Sequence, residues 1–523
     1  FLAIFLLQTY GVSRVRWILY LAPLIAVFTL ATGMSASAVR GCIMALAAFA
    51  GPFLHRRPDM PSAMALAAIV ILLCDPLQLV NRGFILSFAA VAGLIVITPP
   101  LSRALARRLA VEPFVPPARP PWQARLARAC ALYLGQLLAA GWAAWLAVAP
   151  LCAAWFNLVS PIGMLANLLV VPAITAVMIA GCAALLAGAI HPALSLPFNL
   201  LNRGLVSATT AALSGLADIP LGYFYVQAPT PLFIATWFCS IAAWRLLRGR
   251  SRLWLAGPAL LALLLARGAW AERGRVTLTA AHLGESICLF VNAPGSQNDW
   301  LLDPGPRYSS RRLVRFLRTQ GVNRLGAVLI SRRKADCAGA TLDLLEAVPA
   351  REIMLGLTDR DRSPTIKAIM AAMASNGIPV RTLSRPDSGV LPGKVTWRVL
   401  HPESSLDAGA ADDQALALRL ERGRAAVLIR TESSPCVSSN LLGASAAPLA
   451  AEILVLADSA PNADPQPDFL RAAAPHVLVN SASQRSPDGL PATSLRVAIG
   501  PMQSVEISLD PDSASLSQPV DME

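Results

Sequence analysis

Charge is scarce in this sequence: Asp, Glu, Lys and Arg together make up 14% of 523 residues, against 55% hydrophobic. With a mean hydropathy of +0.55, that scarcity excludes an ordinary soluble protein and points to a chain built into a membrane. No C-x-x-C pair occurs, and of nine cysteines only Cys288, Cys337 and Cys436 lie in the C-terminal half. Neither a disulfide framework nor a thiolate zinc site is indicated. No G-x-x-x-x-G-K-[ST] stretch occurs either, so energy for any transport has to come from a partner or a gradient. Lysine is absent up to Trp270, where eighteen arginines face four acids (Asp59, Asp75, Glu112, Asp218), a surplus of fourteen. The remainder carries 26 basic and 27 acidic residues. The sequence pI of 9.9 therefore comes from arginines between apolar runs, where they act first as topology signals rather than as a nucleic-acid surface.

What is present up to residue 270 is a series of apolar runs at 1–13, 17–32, 62–80, 84–100, 129–151, 161–190, 194–218, 231–247 and 253–270, with a further short one at 42–54. A polytopic α-helical bundle of about ten segments follows. Arginine clusters at 14–16, 56–57, 103–128 and 245–252 belong on the cytoplasmic side, and the parity of the spans then delivers the C-terminal half to the non-cytoplasmic side. Beyond 270, runs such as "VTLTAAHL", "LGAVLIS" and "AAVLIR" alternate with helical stretches such as "SRRLVRFLRTQG", an α/β pattern. The last residues, 511–523, read as a disordered tail. The chain opens at Phe1 without Met, and the expectation is an N-terminally truncated domain over 1–270.

The run 42–54 rises only about 20 Å against a hydrocarbon core of about 30 Å. Immediately before it stand Thr32, Gly33, Ser35, Ser37, Arg40 and Gly41. A broken or re-entrant helix needs such residues: small ones for close approach, hydroxyls for freed backbone groups, and an arginine facing a wet cavity. The alternative is that Gly33 and Ser37 form a small-residue seam and Arg40 snorkels to the headgroups. Two more polar interruptions follow, one with Asp75, Asn81 and Arg82 and one with Asn167 and Pro172.

These stretches resemble the ComEC family of competence proteins, the channels through which transformable bacteria take up single-stranded DNA. The T-G-x-S-x-S-x-x-R-x-x-x-M motif is matched by Thr32, Gly33, Ser35, Ser37, Arg40 and Met44. The G-F-x-L-S-F-x-A-V-x-G motif is matched by Gly83, Phe84, Leu86, Ser87, Phe88, Ala90, Val91 and Gly93. The S-P-x-G-x-L-A-N-L-x-x-x-P motif is matched by Ser160, Pro161, Gly163, Leu165, Ala166, Asn167, Leu168 and Pro172. The family's upstream S-G-L-H segment is absent, and Ile85 stands where relatives often carry Gln.

The resemblance implies a metallo-β-lactamase-like (αββα) domain over 271–510, a type that in many relatives is thought to degrade the strand left outside. Its His-x-Asp-x-Asp-His loop falls on Arg332, Arg333, Lys334, Ala335, Asp336 and Cys337, keeping only Asp336 as a ligand. Later ligand stretches fall on Thr431 to Ser433 and on Ala457 to Ala460 and restore no histidine. Cations where ligands belong repel a divalent ion, so the expectation is a catalytically degenerate domain with no metal, no cofactor and no enzymatic activity. His282, His401 and His476 read as isolated structural residues. Arg332, Arg333 and Lys334 are either a solvated run or phosphate contacts.

The function this implies is an inner-membrane, multi-pass channel for single-stranded DNA. Its partners would be membrane lipids, a competence helicase, DNA-receptor proteins and further copies of itself. A small-solute or lipid-linked-substrate transporter and a non-transforming paralogue are the competing readings.

Overall fold

The computed structural model describes residues 7–11, 13, 16–34, 36–53, 59–108, 122–219, 222–247, 259–263, 267, 275–283, 287–295, 297–332, 335–356, 364–403, 415–432, 434–443, 449–457, 466–484, 487, 490–491, 493–501 and 503–522. The chain divides into two units, Phe1–Phe224 with Ala228–Leu261, and Tyr225–Gln227 with Ala262–Glu523.

The first unit is helical: α1 (Trp17–Ala31), α2 (Ala36–Phe53), α3 (Met60–Cys74), α4 (Arg82–Arg108), α5 (Trp122–Phe156), α6 (Ile162–Ile190), α7 (Pro192–Ala217) and α8 (Pro231–Leu247). Three stretches, Arg82–Arg107, Trp122–Phe156 and Ile162–Ile190, are long and apolar enough to cross a membrane, and α1, α3 and α8 are shorter apolar helices. The expected count of about ten spanning segments is therefore not reproduced among the described residues.

Two differences have local causes. The run 62–80 does not form one helix: α3 stops at Cys74, because Asp75 precedes Pro76 and is held extended, and a 3-10 turn occupies Pro76–Val80. The short run at 42–54 is instead the body of α2, whose 18 residues rise about 27 Å. The α4 and α5 backbones meet at Gly93, where a Cβ would lie 2.6 Å from the Ala143 carbonyl oxygen and the Ala147 Cβ. The α5–α6 corner is tied by Trp145, whose Nε1 donates to the Ser160 carbonyl at 2.9 Å. The Ile162 N–H donates to the Gly222 carbonyl at 3.1 Å.

The second unit holds two sheets. In the first, β1 (Val276–His282), β2 (Ile287–Asn292), β3 (Trp300–Leu302), β4 (Leu325–Ile330), β5 (Ala350–Leu355) and β6 (Val380–Thr382) lie in chain order. The second contains β7 (Ser388–Leu391), β8 (Val395–His401), β9 (Ala417–Arg422), β10 (Ala425–Arg430), β11 (Ile453–Leu456), β12 (Val477–Ser481) and β13 (Leu495–Ile499). Each begins as an antiparallel meander and ends in parallel strands: β3 to β6 in the first and β10 to β13 in the second. β14 (Gln503–Leu509) returns the chain to the first sheet beside β1.

Three apolar clusters give the layer order. One lies between the sheets, with Leu278, Leu289, Val427 and Ile429 facing one another across it. A second joins the other face of the first sheet to α9 (Ser310–Thr319), α11 (Thr341–Ala347) and α12 (Pro364–Asn376), which follow and precede the short α10 (Ala335–Ala338). The third joins the second sheet to α13 (Pro435–Gly443) and α14 (Pro467–Ala473). Parallel strands buried on both faces need the continuous apolar runs that β4, β10 and β11 carry, and the result is an αββα stack.

The end of the chain departs from the expected disordered tail. β15 (Ala514–Leu516) and β16 (Val520–Asp521) both pair with β14. Ala514 and Leu516 pack on the core between the sheets and Met522 on the helical side of the first sheet. The Ser- and Asp-rich composition concealed three apolar residues placed to anchor it.

Candidate functional site

In the first unit the motif residues fall into two kinds, those that shape the backbone and those that project from helices. Thr32 closes α1, its Oγ1 donating to the Thr29 carbonyl at 2.9 Å. Gly33 and Met34 then take positive φ values of 73° and 51°, turning the chain into α2 at a cost that glycine avoids and Met34 bears. The T-G step is thus a tight turn between helices rather than a break within one. Ser35 lies outside the described residues, as does the side chain of Ser37 in the first turn of α2. Arg40 sits on α2 with 6% of its surface exposed, and its Nε has no hydrogen-bond partner among the described residues.

Asp75 caps the 3-10 turn: Oδ1 accepts from the Leu77 N–H at 3.1 Å and Oδ2 from Gln78 Nε2 at 2.9 Å. Asn81 accepts from the Gly83 N–H at 2.9 Å, opening α4. One turn on, the rings of Phe84 and Phe88 lie 4.4 Å apart, with half-buried Ser87 between them in sequence. Asn167 on α6 lies beside Gly141 of α5, at a point where a Cβ would come within 3.8 Å of its amide. Pro172 is accommodated inside α6. Of these residues Asn167 meets a neighbouring helix, whereas Thr32, Asp75 and Asn81 serve their own local turns.

In the second unit the C-terminal ends of the parallel strands form the other candidate site, where open α/β sheets place their ligands. Asp303 follows β3, with φ of 50° and 2% exposure. Its carboxylate accepts from the Ser331 N–H at 2.8 Å and from Ser331 Oγ at 2.6 Å. Burial pushes the Asp303 carboxyl up, while the Arg332 guanidinium and Ser331 pull it back. Arg332, just after β4 and 3% exposed, is ion-paired with Glu432, just after β10 of the opposite sheet. Arg430 fixes the approach to Glu432: Nε donates to the Glu432 carbonyl at 2.6 Å and Nη2 to the Ser434 carbonyl at 2.7 Å.

Asp336 and Cys337 lie on α10. Cys337 is buried, and burial, with Asp303 nearby, pushes its thiol well up. Lys334 and Arg333 lie outside the described residues. The histidines are dispersed. His282 shares a hydrogen bond with Ser481 Oγ at 2.9 Å, His401 Nδ1 meets the Ala415 carbonyl at 2.8 Å, and His476 is exposed on β12's approach. Among the described residues no group of three His, Cys, Asp or Glu side chains could hold a metal ion. The donor set also does not fit one: the carboxylates Asp303 and Glu432 already surround a guanidinium, which takes the charge that a divalent ion would otherwise supply.

Sequence reasoning placed Arg332 and Glu432 at ligand positions but did not find their pairing, because it spans a hundred residues and two sheets. Ser331 and Arg430 it missed entirely. A buried serine directly before an arginine carries no periodic or motif signal.

Comparison with known proteins bears on both units. The chain is 24% identical over 442 residues to ComE operon protein 3 of Bacillus subtilis (strain 168), covering 79% of this chain and 52% of that protein. It thus spans about half the length of that curated relative. Among solved structures, it is similar to MEM-A1, a subclass B3 metallo-β-lactamase from a soil metagenome library, at 14% identity over 35% of this chain and 76% of that one, with a TM-score of 0.25. It is also similar to CmlA, a diiron β-hydroxylase from Streptomyces venezuelae, at 11% identity over 56% and 65% of the two chains, with a TM-score of 0.29. The Competence family, described as competence protein, matches residues 1–251. The matched span is the one that carries the three polar stretches whose turns and helix contacts are set out above.

Proposed function

We propose that the chain serves DNA uptake, with the first unit passing single-stranded DNA across the bacterial inner membrane. The second unit then lies on the non-cytoplasmic side as a non-catalytic domain. The match of residues 1–251 to the Competence family supports a role in competence, and the observation that carries the channel reading is Arg40. A buried guanidinium on an apolar helix is expensive unless something pairs with it, and Arg40 Nε finds no partner among the described residues. A passing phosphodiester supplies such a partner in turn at every nucleotide. Contacts of that kind ignore base identity, so the path accepts any sequence. Phe88, Ser87, Asn167 and the turn at Gly33 would shape the helices around it.

For the second unit, the Arg332–Glu432 pair supports a role without metal chemistry. It bridges the two sheets where a hydrolase would hold its ions, and it leaves no donor set to activate a water.

Uptake of labelled DNA into the cytoplasm of the native host tests the channel. Cells with the intact gene are compared with a deletion, Arg40→Ala and Arg40→Lys, with membrane insertion confirmed for each. The expected result is loss of uptake in the deletion and in Arg40→Ala, with partial retention in Arg40→Lys, which keeps the charge but not the planar fork. Normal uptake in the deletion would sink the reading in favour of a solute transporter or a non-transforming paralogue. Normal uptake in Arg40→Ala alone would remove Arg40 from the path.

A further inference from the structure

The first unit contains a groove of about 670 Å³ between α4, α5 and α8, within the usual range for a ligand site. Its wall is formed by Ile97 and Leu105 of α4, Gly135 and Trp142 of α5, and Trp237 and Trp244 of α8. Two wall groups that could bind a polar ligand are already engaged. Trp237 Nε1 donates to the Leu146 carbonyl at 2.8 Å, and Ser240 Oγ donates to the Thr236 carbonyl at 2.6 Å. What remains for an occupant is hydrocarbon and indole faces. From Gly135 to Leu146 the groove follows α5 for about 16 Å, roughly half the hydrocarbon thickness and so the depth of one leaflet.

One end of this groove is strongly basic. Leu105 faces Gly135, where a Cβ would be 2.0 Å from the Leu105 side chain, so the C-terminal end of α4 and the N-terminal part of α5 lie together. Arg128 stands seven residues before Gly135, two turns away on the same face of α5, and Arg245 directly follows Trp244. Arg103 and Arg107 are exposed at the same end of α4, and α4, α5 and α8 contain no acidic residue. An apolar slot one leaflet deep, ending in exposed arginines on helices that carry no acidic residue, matches one ligand chemistry: an acyl chain carrying an anionic phosphate headgroup.

We infer that this groove is a binding site for an anionic phospholipid of the cytoplasmic leaflet, with an acyl chain along α5 and the phosphate between Arg128 and Arg245. The occupant is a bilayer lipid, not a soluble anion, because nothing in the wall would hold the phosphate without its chain.

The test uses the full chain in nanodiscs containing brominated phosphatidylglycerol or brominated phosphatidylcholine at equal mole fraction. Bromine on the acyl chain quenches nearby indoles, and subtracting the signal of W142F/W237F/W244F isolates the groove. Expected is stronger groove quenching by the phosphatidylglycerol, with a preference of about fivefold for each arginine engaged. R128Q/R245Q should lose that preference while R128K/R245K keeps it. Equal quenching by the two lipids, or a preference that survives in R128Q/R245Q, would overturn the assignment. So would groove tryptophans shielded from both lipids in a chain of dimeric mass, which would mean that a second copy covers the slot.

Discussion

Arg40 and Arg332 are buried to nearly the same degree, 6% and 3% exposed, yet their surroundings are opposite. Arg332 sits at the ends of two sheets with Glu432 paired to it and Asp303 close by. Arg40 sits on a helix of an apolar unit that has few acids to offer, and among the described residues no carboxylate pairs with it. The difference teaches where each unit keeps its polar chemistry. The second unit pairs its buried cation internally, with Glu432. The first leaves its cation without an internal counter-charge among the described residues, and that is the place the proposed channel reading gives to a phosphodiester.

Breaking the Arg332–Glu432 pair should have the largest effect. Removing Glu432 by Glu432→Ala strands the Arg332 guanidinium, and loss of one partner of a buried pair costs about 3–5 kcal/mol. Thermal melting and hydrogen exchange of the full chain in detergent should show the second unit destabilised while the first is unaffected. Arg332→Met/Glu432→Leu should recover most of the loss. If the single variant melts like the parent, the pair is not structural and the comparison fails.

A second site in the same unit sharpens the comparison through pH. Burial raises the Asp299 carboxyl from 3.8 to about 7, against a smaller opposing pull from the Ala293 N–H. In the folded state it therefore holds a proton that the unfolded chain has already lost. Its contribution to stability is fully present below pH 3.8 and is lost as pH rises through about 7. Asp299→Asn keeps an acceptor for the Ala293 N–H, 3.1 Å away, and removes the titration. The variant should gain stability at pH 8 by about 1.4 kcal/mol for each pKa unit suppressed, and a pH-independent difference between the two proteins would refute the assignment.

The smallest effect is expected in the first unit, where polar residues serve local turns. Asp75→Ala removes the cap of the Pro76–Val80 turn and should cost about 1 kcal/mol, read as faster amide exchange at Leu77 with membrane insertion unchanged. A larger, global loss would mean that Asp75 does more than shape its own turn.

Much of this was legible in order along the chain. The helical starts near 17, 84, 161 and 231 follow from apolar runs, whereas α5 begins at Trp122, seven residues before its apolar run, and the strands after 276 follow from short β-branched stretches between turn residues. The motif residues were legible as positions but not as roles. Thr32 and Gly33 looked like a helix break and proved to be a turn, because the positive φ values at Gly33 and Met34 need only two residues to reverse the chain. Asp75 read as a polar interruption between two spans, and in the structure it caps a 3-10 turn, because the following proline ends α3 there. The tail beyond 511 was misread because three apolar residues among serines carry no periodic signal, yet each finds a place on a core already built by others.

The sequence by itself determined that the first half is apolar and helical, that its charge is almost wholly arginine, and that the second half lacks the histidines of a metal loop. These are properties of composition and local spacing, and no fold is needed to read them. Only the tertiary structure decided what each charge faces. Arg332 meets Glu432 from across two sheets, and Arg128 and Arg245 stand on helices far apart in the chain that wall one groove. Both outcomes depend on long-range register, which side-chain identity alone does not encode.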